Sequence, residues 1–137
     1  MILESAVLCL AINIYHEARD QSLLGQHAVA QVTMNRAKWQ ESHVCQEVLK
    51  PKQFSWTNGG LVARYKGKAR LTKAGLPKEE GAWYRARGVA IATLSGMVPQ
   101  FTWADHYHTT KVAPRWSGAF KRVAQIGDHV FYNSKSK

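Results

Sequence analysis

A nearly unbroken apolar run, Ala6 to Ile14, stands close to the start of the chain and leads into Tyr15-His16-Glu17-Ala18-Arg19. The spacing predicts a helix from Ser5 to Ala18. At 100° per residue, Val7, Ala11, Ile14 and Ala18 share one stripe, flanked by Leu10 and Tyr15. Glu17 falls on the Leu10 flank, where apolar meets polar, and His16 points roughly the other way. A carboxyl on such a border loses part of its hydration, which disfavours its charged form and raises its pKa. Kept neutral at pH 7, it can protonate a leaving group. A surface glutamate paired with Arg19 fits the same pattern, so periodicity alone leaves both readings open.

The chain has 137 residues, enough for one domain that buries roughly two thirds of its unfolded surface. No apolar run approaches the ~20 residues that span a bilayer. Glu4 stands where a signal peptide would carry positive charge, so none is expected, and Ala6 to Ile14 reads as a core helix. Nineteen Lys and Arg against nine Asp and Glu give a formal charge of +10. The basic residues concentrate in Arg64 to Lys78, in Arg85 and Arg87, and in Lys135 and Lys137. Such a surface attracts polyanions, or it simply keeps the protein soluble. The two cysteines, Cys9 and Cys45, sit among apolar neighbours and form no disulfide framework. They read as buried free thiols of a protein made in a reducing compartment.

Beyond the first helix, Ser22 is positioned to cap a second one from Leu23 to Lys38, whose widely spread apolar residues predict burial on most sides. Ser42 could cap a short third helix that runs through Leu49 and ends near Pro51. Asn58-Gly59-Gly60 is a turn, and the basic stretch from there to Pro77 reads as loop. Lys78 to Ser95 has helical spacing, with Gly96 as its stop. Past Pro99 aromatic and β-branched residues dominate, and Gly127-Asp128 predicts a hairpin joining Val123–Ile126 to His129–Tyr132. The expectation is a single domain over 1–137, helical over about 1–98 and strand-bearing over about 99–137.

Several blocks, in order, resemble the SleB/CwlJ family of cell-wall hydrolases. They are Ala11-Ile12-Asn13-Ile14-Tyr15-His16-Glu17-Ala18-Arg19, Gly25-Gln26-His27-Ala28-Val29-Ala30-Gln31-Val32 with Asn35-Arg36, Val44-Cys45, and Gln53-Phe54-Ser55-Trp56. His106-Tyr107-His108, Val112-Ala113-Pro114-Arg115-Trp116 and Ile126-Gly127-Asp128-His129-Val130-Phe131-Tyr132 complete the set. The resemblance implies an α+β, mainly helical fold, lysozyme-like or lytic-transglycosylase-like, with a small C-terminal β-hairpin region. It implies action on peptidoglycan glycan strands, at the β-1,4 bond between N-acetylmuramic acid and N-acetylglucosamine, with Glu17 as the catalytic acid. Asp20 stands where the family commonly shows a small residue, and Asp105 where it shows Thr or another uncharged residue.

Glycoside cleavage needs an acid and a means of handling an oxocarbenium-like carbon. Hydrolases use a second carboxylate, about 5 Å away in retaining and ~6.5–9.5 Å in inverting enzymes. Asp20, Asp105 and Asp128 are the candidates here. A lytic transglycosylase needs only Glu17, because the muramic acid 6-hydroxyl closes on the anomeric carbon. The single-acid route, with no cofactor and no metal, is the preferred reading. Trp56, Tyr107 and Trp116 offer flat faces for sugar rings, and Gln53, Ser55 and His108 offer hydrogen bonds. Phe54 and Phe131 read as core. A rival of another class is a zinc-dependent wall amidase or peptidase built from His106, His108 and His129, three imidazoles with an open fourth position. A basic nucleic-acid-binding module on Arg64 to Lys78 carries no recognised fingerprint, so no nucleic acid is expected as a partner. The remaining expectations are a monomer that meets anionic membrane or wall polymers through its basic surface. It would be a phage endolysin made in the host cytoplasm and active on the wall after release.

Overall fold

The structure, a computed structural model, describes residues 1–50 and 53–135. Helix α1 (Ala6–Ala18) runs through the middle of the core, and α2 (Leu23–Arg36), the short α3 (Val44–Val48) and α4 (Glu80–Leu94) pack around it. Strands β1 (Val62–Tyr65) and β2 (Lys68–Leu71) form one hairpin. Strands β3 (His106–Thr109), β4 (Lys121–Ile126) and β5 (His129–Asn133) form an antiparallel sheet with β5 in the centre.

Ser5 caps α1 by accepting a hydrogen bond from the Leu8 amide, and Ser22 caps α2 through the Gly25 amide. Position 42 does not cap: Glu41–His43 is a turn of 3-10 helix that runs straight into α3. Pro51, expected to stop that helix, and Lys137 lie outside the described residues. Helix α4 has no side-chain cap of its own. The Tyr15 hydroxyl instead accepts from the Lys78 and Glu79 amides, at 3.1 and 3.0 Å, tying the start of α4 to α1. Gly96, at φ 76°, ends α4 in the left-handed conformation that lets Met97 and Gly96 donate back to Ala92 and Thr93.

Three sequence expectations need correction. Helix α1 is not buried on one stripe: Val7 is exposed, while Cys9 to Tyr15 are all buried. His16, pointing away from Glu17, stacks on Trp56 at 4.7 Å and bonds the Gly75 carbonyl at 3.0 Å. A helix surrounded by α2, α3, α4 and the β1–β2 hairpin has little free side left. The basic stretch after Gly60 is that hairpin, turning at Lys66-Gly67 with φ of 50° and 76°. Its outer edge is extended by the N-terminal segment, where Leu3 and Leu71 exchange backbone bonds with Ala69 and Met1. Finally, Cys9 and Cys45 are not free thiols. Their Cα atoms lie 5.2 Å apart and their sulfurs are bonded, joining α1 to α3. The reducing compartment inferred from free thiols loses its basis with them.

Two apolar clusters make up the interior. The larger gathers α1, α3, α4 and the β1–β2 hairpin; the smaller joins Ala18 and the inner face of α2 to Ala104 and Phe131. Tyr107 packs on both, so the seam between them lies beside the C-terminal end of α1. Glu17 is carried into that seam.

Candidate active site

A cleft of about 190 Å³ opens at the seam, lined by Glu17, Val32, Arg36, Gln53, Phe54, Asp105, His106, Tyr107 and Trp116. Glu17 comes from the last turn of α1, Arg36 from the last turn of α2 and Tyr107 from β3. The Tyr107 hydroxyl donates to Glu17 Oε1 at 2.8 Å. Burial raises the Glu17 pKa from its ordinary value, and that hydrogen bond pulls it partly back. Burial, the charge of Glu17 and the shared hydrogen bond push the Tyr107 phenol well above its own ordinary range. Tyr107 is therefore a permanent donor, and Glu17 is a carboxyl shifted toward its neutral form.

The candidate second carboxylates are all engaged elsewhere. Asp105 reaches the cleft wall, yet Oδ1 accepts from His106 Nδ1 at 3.0 Å and from the Ser134 amide at 2.9 Å. Its Oδ2 accepts from Ser134 Oγ at 2.5 Å. Burial raises its pKa, but the His106 and Ser134 hydrogen bonds outweigh burial and hold it below the usual aspartate value. Asp20 lies past the end of α1, exposed, accepting from the Gln21 amide group. Asp128 accepts from the same group at 3.0 Å in the β4–β5 turn.

Of the residues expected to bind sugar, Gln53, Tyr107 and Trp116 line the cleft, whereas Ser55, Trp56 and His108 do not. Trp56 is 8% exposed, its indole face is covered by His16, and its N–H donates to buried Asn13 at 2.8 Å. It is a core residue, and no sugar can stack on it. His108 is satisfied within the sheet, donating from Nδ1 to the Thr109 carbonyl and accepting from the Tyr132 hydroxyl at Nε2. Ser55 is exposed at the start of a 3-10 turn outside the cleft.

The three-histidine zinc site is not formed. In the β3–β5 register His106 and His108 stand opposite Tyr132 and Val130, while His129 stands opposite Thr109. Side chains alternate between faces along a strand, so His129 falls on the Tyr107 and Phe131 face and the other two on the opposite one. The rings of Tyr107 and His129 meet there edge to face at 5.1 Å. Among the described residues no three His, Cys, Asp or Glu come close enough to share a metal ion.

Arg36 has a part in the site that its place in the sequence does not reveal. Its guanidinium donates to Glu47 at 2.9 Å, to the Asp105 carbonyl at 2.7 Å and to Gln53 Oε1 at 2.6 Å, and it meets His106 Nε2 at 3.3 Å. Since arginine can only donate, His106 accepts at Nε2 and keeps its proton on Nδ1, facing Asp105. A charged residue in the last turn of a largely buried helix was the available signal.

A model of the Cell Wall Hydrolase family matches residues 20–132, most of the chain, beginning just past Glu17. The chain belongs to that family. No curated protein matches it. Among solved structures, this cell wall hydrolase is similar to the catalytic domain of the germination-specific lytic transglycosylase SleB from Bacillus anthracis. The identity is 24%, the TM-score 0.67, and 93% of each chain is covered. It is similar also to the catalytic domain of the Bacillus cereus SleB protein, at 25% identity and a TM-score of 0.65. There 93% of this chain and 89% of the other are covered. The α+β, mainly helical architecture expected from sequence is thus the one these catalytic domains share.

Proposed function

We propose that this cell wall hydrolase cleaves the β-1,4 bond between N-acetylmuramic acid and N-acetylglucosamine as a lytic transglycosylase, with Glu17 as its one acid and base. The observation that carries this is the state of the carboxyls around the cleft. Glu17 is desolvated, raised in pKa and held by Tyr107, while Asp105, the only other carboxylate on the cleft wall among the described residues, has both oxygens hydrogen-bonded. In this mechanism Glu17 protonates the bridging oxygen as the glycosidic bond breaks. It then takes the proton of the muramic acid 6-hydroxyl as that oxygen closes on the anomeric carbon, giving a 1,6-anhydro end. Tyr107 fixes the carboxyl's orientation throughout.

The test is mass spectrometry of soluble products from purified peptidoglycan digested by wild type and by Glu17→Gln. We expect 1,6-anhydromuramic ends from the wild type and a loss of about 10³-fold or more in the variant. Reducing muramic ends would instead mean that water attacks, with Asp105 the carboxylate to examine. Cleavage confined to peptide bonds would refute glycan-strand chemistry. We further infer that the protein is a phage endolysin, released to the wall by a separate lysis protein, its +10 charge favouring contact with anionic wall or membrane.

A further inference from the structure

The bond from Arg36 Nη2 to Gln53 Oε1, at 2.6 Å, settles which way the Gln53 amide faces. A guanidinium has no acceptor atom, so it can hold only the oxygen of that amide. The Nε2 group, with its two N–H donors, is left on the far side, and it has no hydrogen-bond partner among the described residues. Gln53 and Arg36 both line the cleft that holds Glu17. Arg36 is itself held from turning by Glu47, at 2.9 Å, and by the Asp105 carbonyl, at 2.7 Å. The amide is therefore locked as a donor in the cleft that holds the acid, in a partly desolvated place where an unpaired donor is costly and a paired one selective.

We propose that Gln53, locked by Arg36, is a specificity determinant that donates to the acetamido carbonyl of a sugar in the cleft. Arg36 acts as a positioning residue. This deepens the glycan-strand reading and rests on it. Both sugars of the strand carry a 2-acetamido group, whose carbonyl is an acceptor. A de-N-acetylated sugar presents an ammonium there, which is a donor and a cation, and it meets another donor. The site thus rejects de-N-acetylated glycan.

Gln53→Glu gives a readout that a structural role cannot mimic. One carboxylate oxygen stays on Arg36 and the other replaces the donor with a charged acceptor. That oxygen repels an acetamido carbonyl and attracts an ammonium. Initial rates are to be measured on peptidoglycan and on the same material chemically de-N-acetylated, for wild type, Gln53→Glu, Gln53→Ala and Arg36→Lys. We expect the wild type to favour acetylated strands by about tenfold or more and Gln53→Glu to reverse that preference. Gln53→Ala should raise KM on acetylated strands about five- to tenfold with kcat little changed. Arg36→Lys, which keeps the charge but loses the fork, should lose the discrimination too. Gln53 is partly exposed, so its variants test the idea even if Arg36→Lys fails to fold. An unchanged rate ratio in Gln53→Glu overturns this proposal while leaving the glycan reading intact. If the wild type releases no glycan fragments from either material, it is the glycan reading that fails.

Discussion

Glu17 and Tyr107 lie ninety residues apart in sequence and share one hydrogen bond, and that bond sets two opposing demands. A proton donor works best with a high pKa, yet Tyr107 stabilises the carboxylate and lowers it. What the tyrosine provides in return is orientation of a carboxyl that has no other hydrogen-bond partner among the described residues. Tyr107→Phe should therefore separate the two effects. Removing a donor from the charged form raises the Glu17 pKa further, so the fall in rate on the alkaline side should begin at higher pH than in wild type. At the same time kcat should drop about tenfold, as the carboxyl loses its fixed geometry. A pH–rate profile of both proteins checks this; a limb that stays in place or moves to lower pH contradicts the assignment. At this scale the sequence was informative about Glu17, because a carboxyl at the edge of an apolar helix is visible in the spacing. It was silent about Arg36, whose four partners come from three distant segments. It misled about Trp56, because an aromatic residue reads the same whether its face meets a sugar or His16.

Elements were legible where their boundaries carry turn or cap chemistry. Ser5, Ser22 and Gly96 mark helix ends, and Gly127, at φ 57°, marks the turn of the β4–β5 hairpin. The β1–β2 hairpin was hidden because its strands are short, charged and mostly exposed, and its turn starts with Lys66, a residue that seldom adopts positive φ. The pairing of Cys9 with Cys45 was hidden for another reason: nothing in two isolated cysteines says that α3 folds back on α1. That bridge closes a loop of sequence separation 36, for which chain entropy alone predicts about 3–4 kcal/mol of stabilisation. Reduction, or the paired Cys9→Ala and Cys45→Ala substitution, should lower the melting temperature by roughly 10 °C. Helix α3 also carries Glu47, the partner of Arg36, so wall cleavage should weaken on reduction before the protein unfolds. Thermal melts and activity with and without a thiol reductant measure both. An unchanged melt would mean that the bridge contributes nothing to stability in solution.

On the scale of the whole molecule, the cleft sits where two clusters meet, while four of the nineteen basic residues crowd onto the β1–β2 hairpin. Arg64, Lys66, Lys68 and Arg70 are all exposed there, and only Arg64 has a described side-chain bond, to the Leu49 carbonyl. Catalysis at Glu17 and attraction to an anionic polymer should therefore be separable. Charges of this kind act over about 10 Å at 0.1 M salt and about 3 Å at 1 M. Substituting Lys66, Lys68 and Arg70 by Ser should weaken binding to whole cell walls at low ionic strength severalfold, with little effect on cleavage of short soluble glycan fragments. Raising the salt should bring wild type and variant together on walls and leave the soluble reaction nearly unchanged. Co-sedimentation with walls, run beside a soluble-fragment assay over a salt series, distinguishes these outcomes. If the variant binds walls as tightly as wild type at low salt, the hairpin is a solubilising surface only. If it loses activity on soluble fragments as well, the hairpin contributes to the geometry of the cleft, and charge and chemistry are not separate in this fold.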